Sequence, residues 1–169
     1  RNRRSRNYRH RYPRLSFVTM TKFDGAILDS EFPDDDGSPD AAVHQALRAH
    51  ALQPTSQTWL TLLNSLYGSR VLVPVVSHID EIAEDGSDKS SYMSSVQFKS
   101  ADGRVGLIVF TSIDELKVWD REARPLPRKF RDIVSIAVAE SFDAILIDMA
   151  SPHRFALQKS ELQLLSNSH

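Results

Sequence analysis

Residues 105–120 read VGLIVFTSIDELKVWD. The apolar run at 107–110 stops at Thr111-Ser112. Ser112 then stands as a helix cap with Glu115 three residues on, the pattern of a capping box. A strand that feeds a capped helix belongs to a packed domain in which both elements bury one side.

Upstream, Tyr92, Ser94, Val96 and Phe98 alternate with Met93, Ser95 and Gln97, the two-residue period of a half-buried strand. Asp102-Gly103 is a hairpin signal, so residues 91–110 are expected to form a hairpin. Residues 70–76, RVLVPVV, are β-branched and apolar, a further strand. Pro74 has no N–H for a ladder and points to an edge or a bulge there. Ser38-Pro39-Asp40 opens a helix, with Ser38 as cap and Pro39 in the first turn. Its apolar side is expected at Val43, Ala46, Leu47, His50 and Ala51. Pro54 ends it. A second helix at 56–67 presents Trp59, Leu60, Leu63, Leu66 and Tyr67, with Gly68 beyond its end.

Downstream, residues 121–131 read as a proline-broken connection, with Pro127 starting a helix over about 127–142. Residues 144–147 form a buried strand and 153–157 its antiparallel partner. A short helix at 159–165 follows. Hairpins outnumber crossover units, so the expected class is α+β: a single domain with a mixed or antiparallel sheet and helices packed on it.

Hydrophobic residues make up 41% and charged residues 25% of the 169, ordinary for a globule of one domain. There is no cysteine, which excludes disulfides and thiolate chemistry and fits a cytoplasmic setting. No apolar run reaches the length of a membrane span, so no membrane role is expected. The net charge of −1 hides an asymmetry. Residues 1–14 hold seven arginines and no acid. Removing them from 21 basic residues leaves 14 against 22 acidic ones, a net of −8. Residues 1–19 are therefore set apart as a basic, disordered or non-native tail ahead of a domain over 20–169. Nucleic-acid binding is expected only through that tail, whose arginines and tyrosines suit phosphates and bases.

The acidic turn at 34–37 lacks the ligand positions of a calcium loop, which fall on Phe32 and Val43. No histidine pair has the spacing of a helical zinc site. Phosphate-loop, dinucleotide and nucleophile-elbow motifs are missing. No metal and no cofactor is expected. Two polar groups remain as candidate binding residues. Thr111 and Ser112 lie at a helix start after a strand, where free N–H groups attract anions. Arg121, Arg124, Arg128, Lys129 and Arg131 form a basic segment suited to an acidic partner.

Several phrases in order resemble the bacterial SseB family, the enhanced serine sensitivity protein B group, in its N-terminal-domain type. They are FPDDDG at 32–37, RVLVPVV at 70–76, DKSS at 88–91 and DGR at 102–104. FTS at 110–112 with Leu116 and Trp119-Asp120 follows, then ARPLP at 123–127, AILID at 144–148 and Pro152. Tyr92, Ser94 and Ser95 depart from the family pattern of an acid and small apolar residues. The family takes its name from a serine-sensitivity phenotype, and the resemblance implies no reaction and no catalytic residue.

The expected role is a non-enzymatic domain that binds a protein partner or associates with itself. The alternative is a regulatory domain that binds a small molecule, an amino acid or an anion. An enzyme ranks third, because no nucleophile has a base beside it in sequence.

Overall fold

The computed structural model describes residues 15–22, 31–78 and 92–167. The arginine-rich stretch at 1–14, the apolar patch at 26–28 and the acidic segment at 80–88 lie outside the described residues. Seven strands and five helices are described. They are β1 (Leu15–Lys22), α1 (Ala41–Leu52), α2 (Ser56–Tyr67), β2 (Arg70–His78), β3 (Tyr92–Ser100) and β4 (Val105–Val109). Next come α3 (Ile113–Trp119), β5 (Arg124–Lys129), α4 (Phe130–Ala139), β6 (Ala144–Ile147), β7 (Phe155–Gln158) and α5 (Lys159–Asn167).

The strands form one mixed sheet with path β5-β2-β3-β4-β6-β7. β1 pairs antiparallel with β3, Leu15 opposite Ser100 and Thr19 opposite Val96. The expected tail boundary at residue 19 thus falls inside this strand. The other edge of β3 is shared: residues 92–95 pair with β2 and residues 97–99 with β4. Leu72 and Phe110 exchange both backbone hydrogen bonds, at 2.7 and 2.9 Å, which ties β2 to the end of β4. Four pairings are antiparallel along this path, and β4 with β6 is parallel. The fold is α+β.

Alternation along each strand divides the core in two. Val71, Val73, Val75, Leu107, Val109, Ile145 and Ile147 face one side, under α1, α2, α4 and α5. Leu72, Val96, Phe98, Ile108 and Phe110 face the other, where α3 packs through Leu116 and Trp119. Buried α2 positions are Leu62, Leu63 and Leu66, and Leu60 is exposed, because Leu62 takes the core position that Leu60 was expected to hold.

Helix α1 starts two residues later than expected. Asp40 is its cap and accepts from the N–H groups of Ala42 and Val43, so Pro39 precedes the helix. A carboxylate outcompetes the Ser38 hydroxyl there because it can take both donors at once and faces the positive end of the dipole. β7 begins at Phe155, with residues 151–154 taken up by the turn.

The proline segment is a larger correction. RPLPRK is strand β5, not a connection, and α4 begins only at Phe130. Pro127 lies opposite Leu72 and Pro125 opposite Pro74. Leu72 turns its N–H and C=O toward Phe110, so its pairing with Pro127 carries no ladder bond. By the two-residue period, Pro125 and Pro127 both aim their missing N–H off the open edge of the sheet. Pro74 is interior rather than at an edge. Its nitrogen faces the gap between the Leu72–Phe110 bridge and the start of β3 pairing at Val75, where no donor is required.

Gly106 marks the closest approach in the sheet. A Cβ at that position would overlap the Ala144 carbonyl oxygen and the Phe98 ring. The backbone oxygen belongs to the parallel β4–β6 pair and has nowhere to move. Gly106→Ala is therefore expected to destabilise the fold by at least 1–3 kcal/mol, on the order of other overpacked cores. A thermal melt checks this; an unchanged midpoint would show that β4 and β6 can separate without cost.

Candidate functional site

Parallel strands β4 and β6 end side by side, Val109 opposite Ile147. Two polar residues follow these ends, Thr111 after β4 and Asp148 after β6. Ligand clefts in sheets with parallel strands form at this carboxyl end. Both residues are buried, Thr111 at 2% and Asp148 at 2% exposure. The Thr111 N–H donates to Asp148 Oδ1 at 2.8 Å, and its hydroxyl donates to Oδ2 at 2.6 Å. The same hydroxyl lies 3.0 Å from His44 Nε2 on α1. Arg70 Nη1 donates to the Thr111 carbonyl at 2.8 Å. Arg70 is itself held by Asp35 through Nε and Nη2. Asp35 also accepts from Gly37 N–H at 2.7 Å.

Asp148 has φ of +48°, left-handed backbone that an Asp adopts more readily than most residues but still at a cost. The turn is held by Ser151 N–H, which donates to the Asp148 carbonyl at 2.8 Å. Burial pushes the Asp148 carboxyl up to about 6. Its two bonds from Thr111 oppose that rise, the negative charge of Glu115 adds to it, and His44 opposes it more weakly.

His44 and Asp148 open onto a cleft of about 300 Å³. Its walls are His44, Leu47 and Arg48 of α1, Glu115 of α3, and Asp148, Ser151, Pro152 and His153 of the turn after β6. Two carboxylates, two imidazoles and one guanidinium thus converge on one cavity. Among the described residues no group of three or more His, Asp or Glu side chains is arranged to hold a metal ion.

The candidates named from sequence divide. Thr111 is beside the cleft, with its N–H and hydroxyl engaged. Ser112 is buried at 1% and caps α3 through Glu115 N–H at 3.3 Å. The next donor, Ile113 N–H, goes to Gly37 O at 2.8 Å. Two of the first donors of α3 are therefore taken up within the fold, by Ser112 and Gly37. The basic segment does not gather. Arg124 and Arg128 share a face of β5 with buried Leu126, and Lys129 points to the opposite face. Lys129 pairs with Glu31 at 3.1 Å, and Arg131 lies 3.9 Å from Asp132. Arg121 is exposed in the turn after α3.

Asp148, His44, Arg48, Glu115 and His153 are not among the binding candidates named from sequence, where Glu115 enters only as the capping-box partner of Ser112. One signal was available: AILID and VGLIVFT are apolar strands that each end on a polar residue. His44 had no such signal, since its partner is 67 positions away.

A family model described as SseB protein N-terminal domain matches residues 43–163. That span covers most of the chain, including every cleft residue named above, and the chain belongs to the SseB family. No curated protein and no solved structure matches it.

A raised carboxyl binds its proton more tightly folded than unfolded. Its contribution to stability is full below about pH 4 and is lost as pH rises through about 6. The loss is roughly 3 kcal/mol by the free energy of a pKa shift. Asp148→Asn has no proton to lose, keeps an acceptor for Thr111 N–H and suits the left-handed backbone. Its melting temperature relative to the native protein is expected to rise from pH 4 to pH 7. A difference that stays flat across that range would show that Asp148 does not carry a raised proton affinity.

Proposed function

We propose that this SseB-family domain is a non-enzymatic, cytoplasmic regulatory domain that binds a small molecule in the cleft between α1 and the turn after β6. Its ligand is compact and bears both a positive and a negative group. The observation that carries this is the charge layout of the cleft. Asp148 lies buried at its base with Glu115 beside it, and Arg48 stands exposed at its rim. An amine at the base meets carboxylates, and an acid at the rim meets a guanidinium. A volume of about 300 Å³ is at the small end of ligand sites and excludes bulky ligands.

Binding has more support than turnover. The hydroxyl held by an imidazole beside the cleft is that of Thr111, which is buried and already donates to Asp148. Ser151 Oγ accepts from His153 N–H at 3.1 Å. An activated nucleophile needs a free hydroxyl facing the substrate and a base behind it. Docking of a protein partner or a second copy has less support. Among the described residues the exposed large apolar side chains Leu52, Leu60, Val118 and Leu164 fall on four different helices, and the basic residues of 121–131 are divided among a turn, two faces of β5 and α4.

A thermal-shift panel of free amino acids, amines and simple anions tests the proposal on the full chain. A zwitterion at 100 times its dissociation constant adds about 2.7 kcal/mol of stability. In a domain of this size that is a rise of roughly 5–10 °C. Arg48→Ala, at an exposed position, is expected to keep the fold and to lose most of the shift. If no doubly charged compound shifts the melt, or if Arg48→Ala shifts as much as the native chain, the assignment fails.

A further inference from the structure

His44, Thr111 and Asp148 are joined in a row through one hydroxyl, and that hydroxyl has a single proton. We infer that His44 is a specificity-determining residue of the cleft, and that the buried Asp148 carboxyl, acting through the Thr111 hydroxyl, sets whether the free nitrogen of His44 accepts or donates a hydrogen bond. This rests on the cleft being the ligand site.

For a neutral His44 ring the proton count leaves two arrangements. With Asp148 ionised, Oδ1 accepts from Thr111 N–H and Oδ2 from the Thr111 hydroxyl. The hydroxyl proton is then committed, and only a lone pair is left toward His44. At 3.0 Å, His44 Nε2 must carry the hydrogen and donate it. A neutral ring so fixed has a bare Nδ1, which accepts. With Asp148 protonated on Oδ2, that proton is donated to Thr111 Oγ1. The hydroxyl turns its own proton to His44 Nε2, which becomes the acceptor. The ring hydrogen is then on Nδ1, which donates. No heavy atom has to move between the two.

Each arrangement suits a different ligand group. The first takes a donor at His44: an ammonium, an amide N–H or a hydroxyl. The second takes an acceptor: a carboxylate or phosphate oxygen. Asp148 is faced by His44 and Arg48 from α1, by Glu115 from α3 and by His153 from its own turn. Arg70 of β2 reaches the same residue pair through the Thr111 carbonyl, with Asp35 on its far side. Glu115 disfavours the ionised form, and a positive charge on the His44 ring would favour it. Burial pushes the carboxyl up to about 6, toward neutral pH.

Asp148→Asn reproduces the protonated arrangement, because its Oδ1 accepts from Thr111 N–H and its Nδ2–H donates to Thr111 Oγ1. Long-range proton–nitrogen NMR of the imidazole ring reads the tautomer without any ligand. In the 15N-labelled full chain at pH 7.5, His44 is expected with its hydrogen on Nε2. In Asp148→Asn at the same pH it is expected on Nδ1. Adding Thr111→Val to both backgrounds is expected to abolish the difference. The same tautomer in the native chain and Asp148→Asn overturns the inference, as does a difference that survives the loss of the hydroxyl. Should Asp148→Asn not fold, Thr111→Val alone decides it. The His44 Nε2 proton resonance then moves to the position of a solvent-exposed imidazole, and an unmoved resonance overturns the inference. A silent thermal-shift panel with the expected tautomers would refute the ligand assignment and leave the relay standing.

Discussion

The pair of hydrogen bonds from Thr111 to Asp148 is the constraint on which the rest of the molecule depends. β4 and β6 are the one parallel pair among the described strands, and the chain between them runs through α3, β5 and α4. Nothing local brings their ends together. Asp148 accepts both donors of Thr111, so the strand ends are clamped where the ladder stops. Hydrogen bonds to a charged acceptor contribute about 1.5–3 kcal/mol each, and leaving the carboxylate buried without them would cost more than that. From this clamp the order spreads outward. Arg70 holds the Thr111 carbonyl and the Asp35 carboxylate, Asp35 holds Gly37, and the Gly37 carbonyl holds the start of α3. Gly37, at φ +77° and in contact with Ile113, has no room for a side chain at that junction.

The sheet has a second constraint at its β5 edge. An edge strand with free N–H groups invites a further strand. Prolines two apart at 125 and 127 remove the outward donors while leaving the inward ones to pair with β2. Pro74 uses the same freedom inside the sheet, at the gap between two partners. Three residues that weaken a strand by propensity thus stand at positions whose N–H would have no acceptor.

How far the fold was legible follows from where its signals lie in the chain. Residues 56–67, 70–76, 105–110 and 144–147 carry their signals within a few residues of each other, and the expected helix and strands form there, with β2 running on to His78 and β4 ending at Val109. RPLPRK misled because proline argues against a strand unless the partner's bonding direction is known, and that direction is fixed by Phe110. Leu60 and Leu62 are both apolar, and only packing chooses which is buried. The site was least legible. Thr111 was visible as a donor group, but its acceptor lies 37 positions on, and His44 lies 67 positions back. Each is an unremarkable polar residue in its own segment. Only the parallel register of β4 and β6 gives them a common address.

That cluster is also where the sequence departs from what stability alone would select. Other buried or capping acids are directly compensated: Asp40 takes two N–H groups of α1, and Asp35 takes Arg70. Asp148 instead combines left-handed backbone, near-complete burial and a second carboxylate nearby, each of which raises the free energy of the folded chain. An asparagine at that turn would relieve these strains while keeping an acceptor for Thr111 N–H. The groups around it are nevertheless well fixed, with His44 and Arg48 on a helix capped by Asp40 and Glu115 on one capped by Ser112. Cost concentrated at one residue, inside a frame that holds its neighbours rigid, is the pattern of a preorganised site rather than of a core compromise. The stability given up at Asp148 keeps an ionisable group at the base of a cavity, within reach of whatever enters from the side of Arg48 and His153.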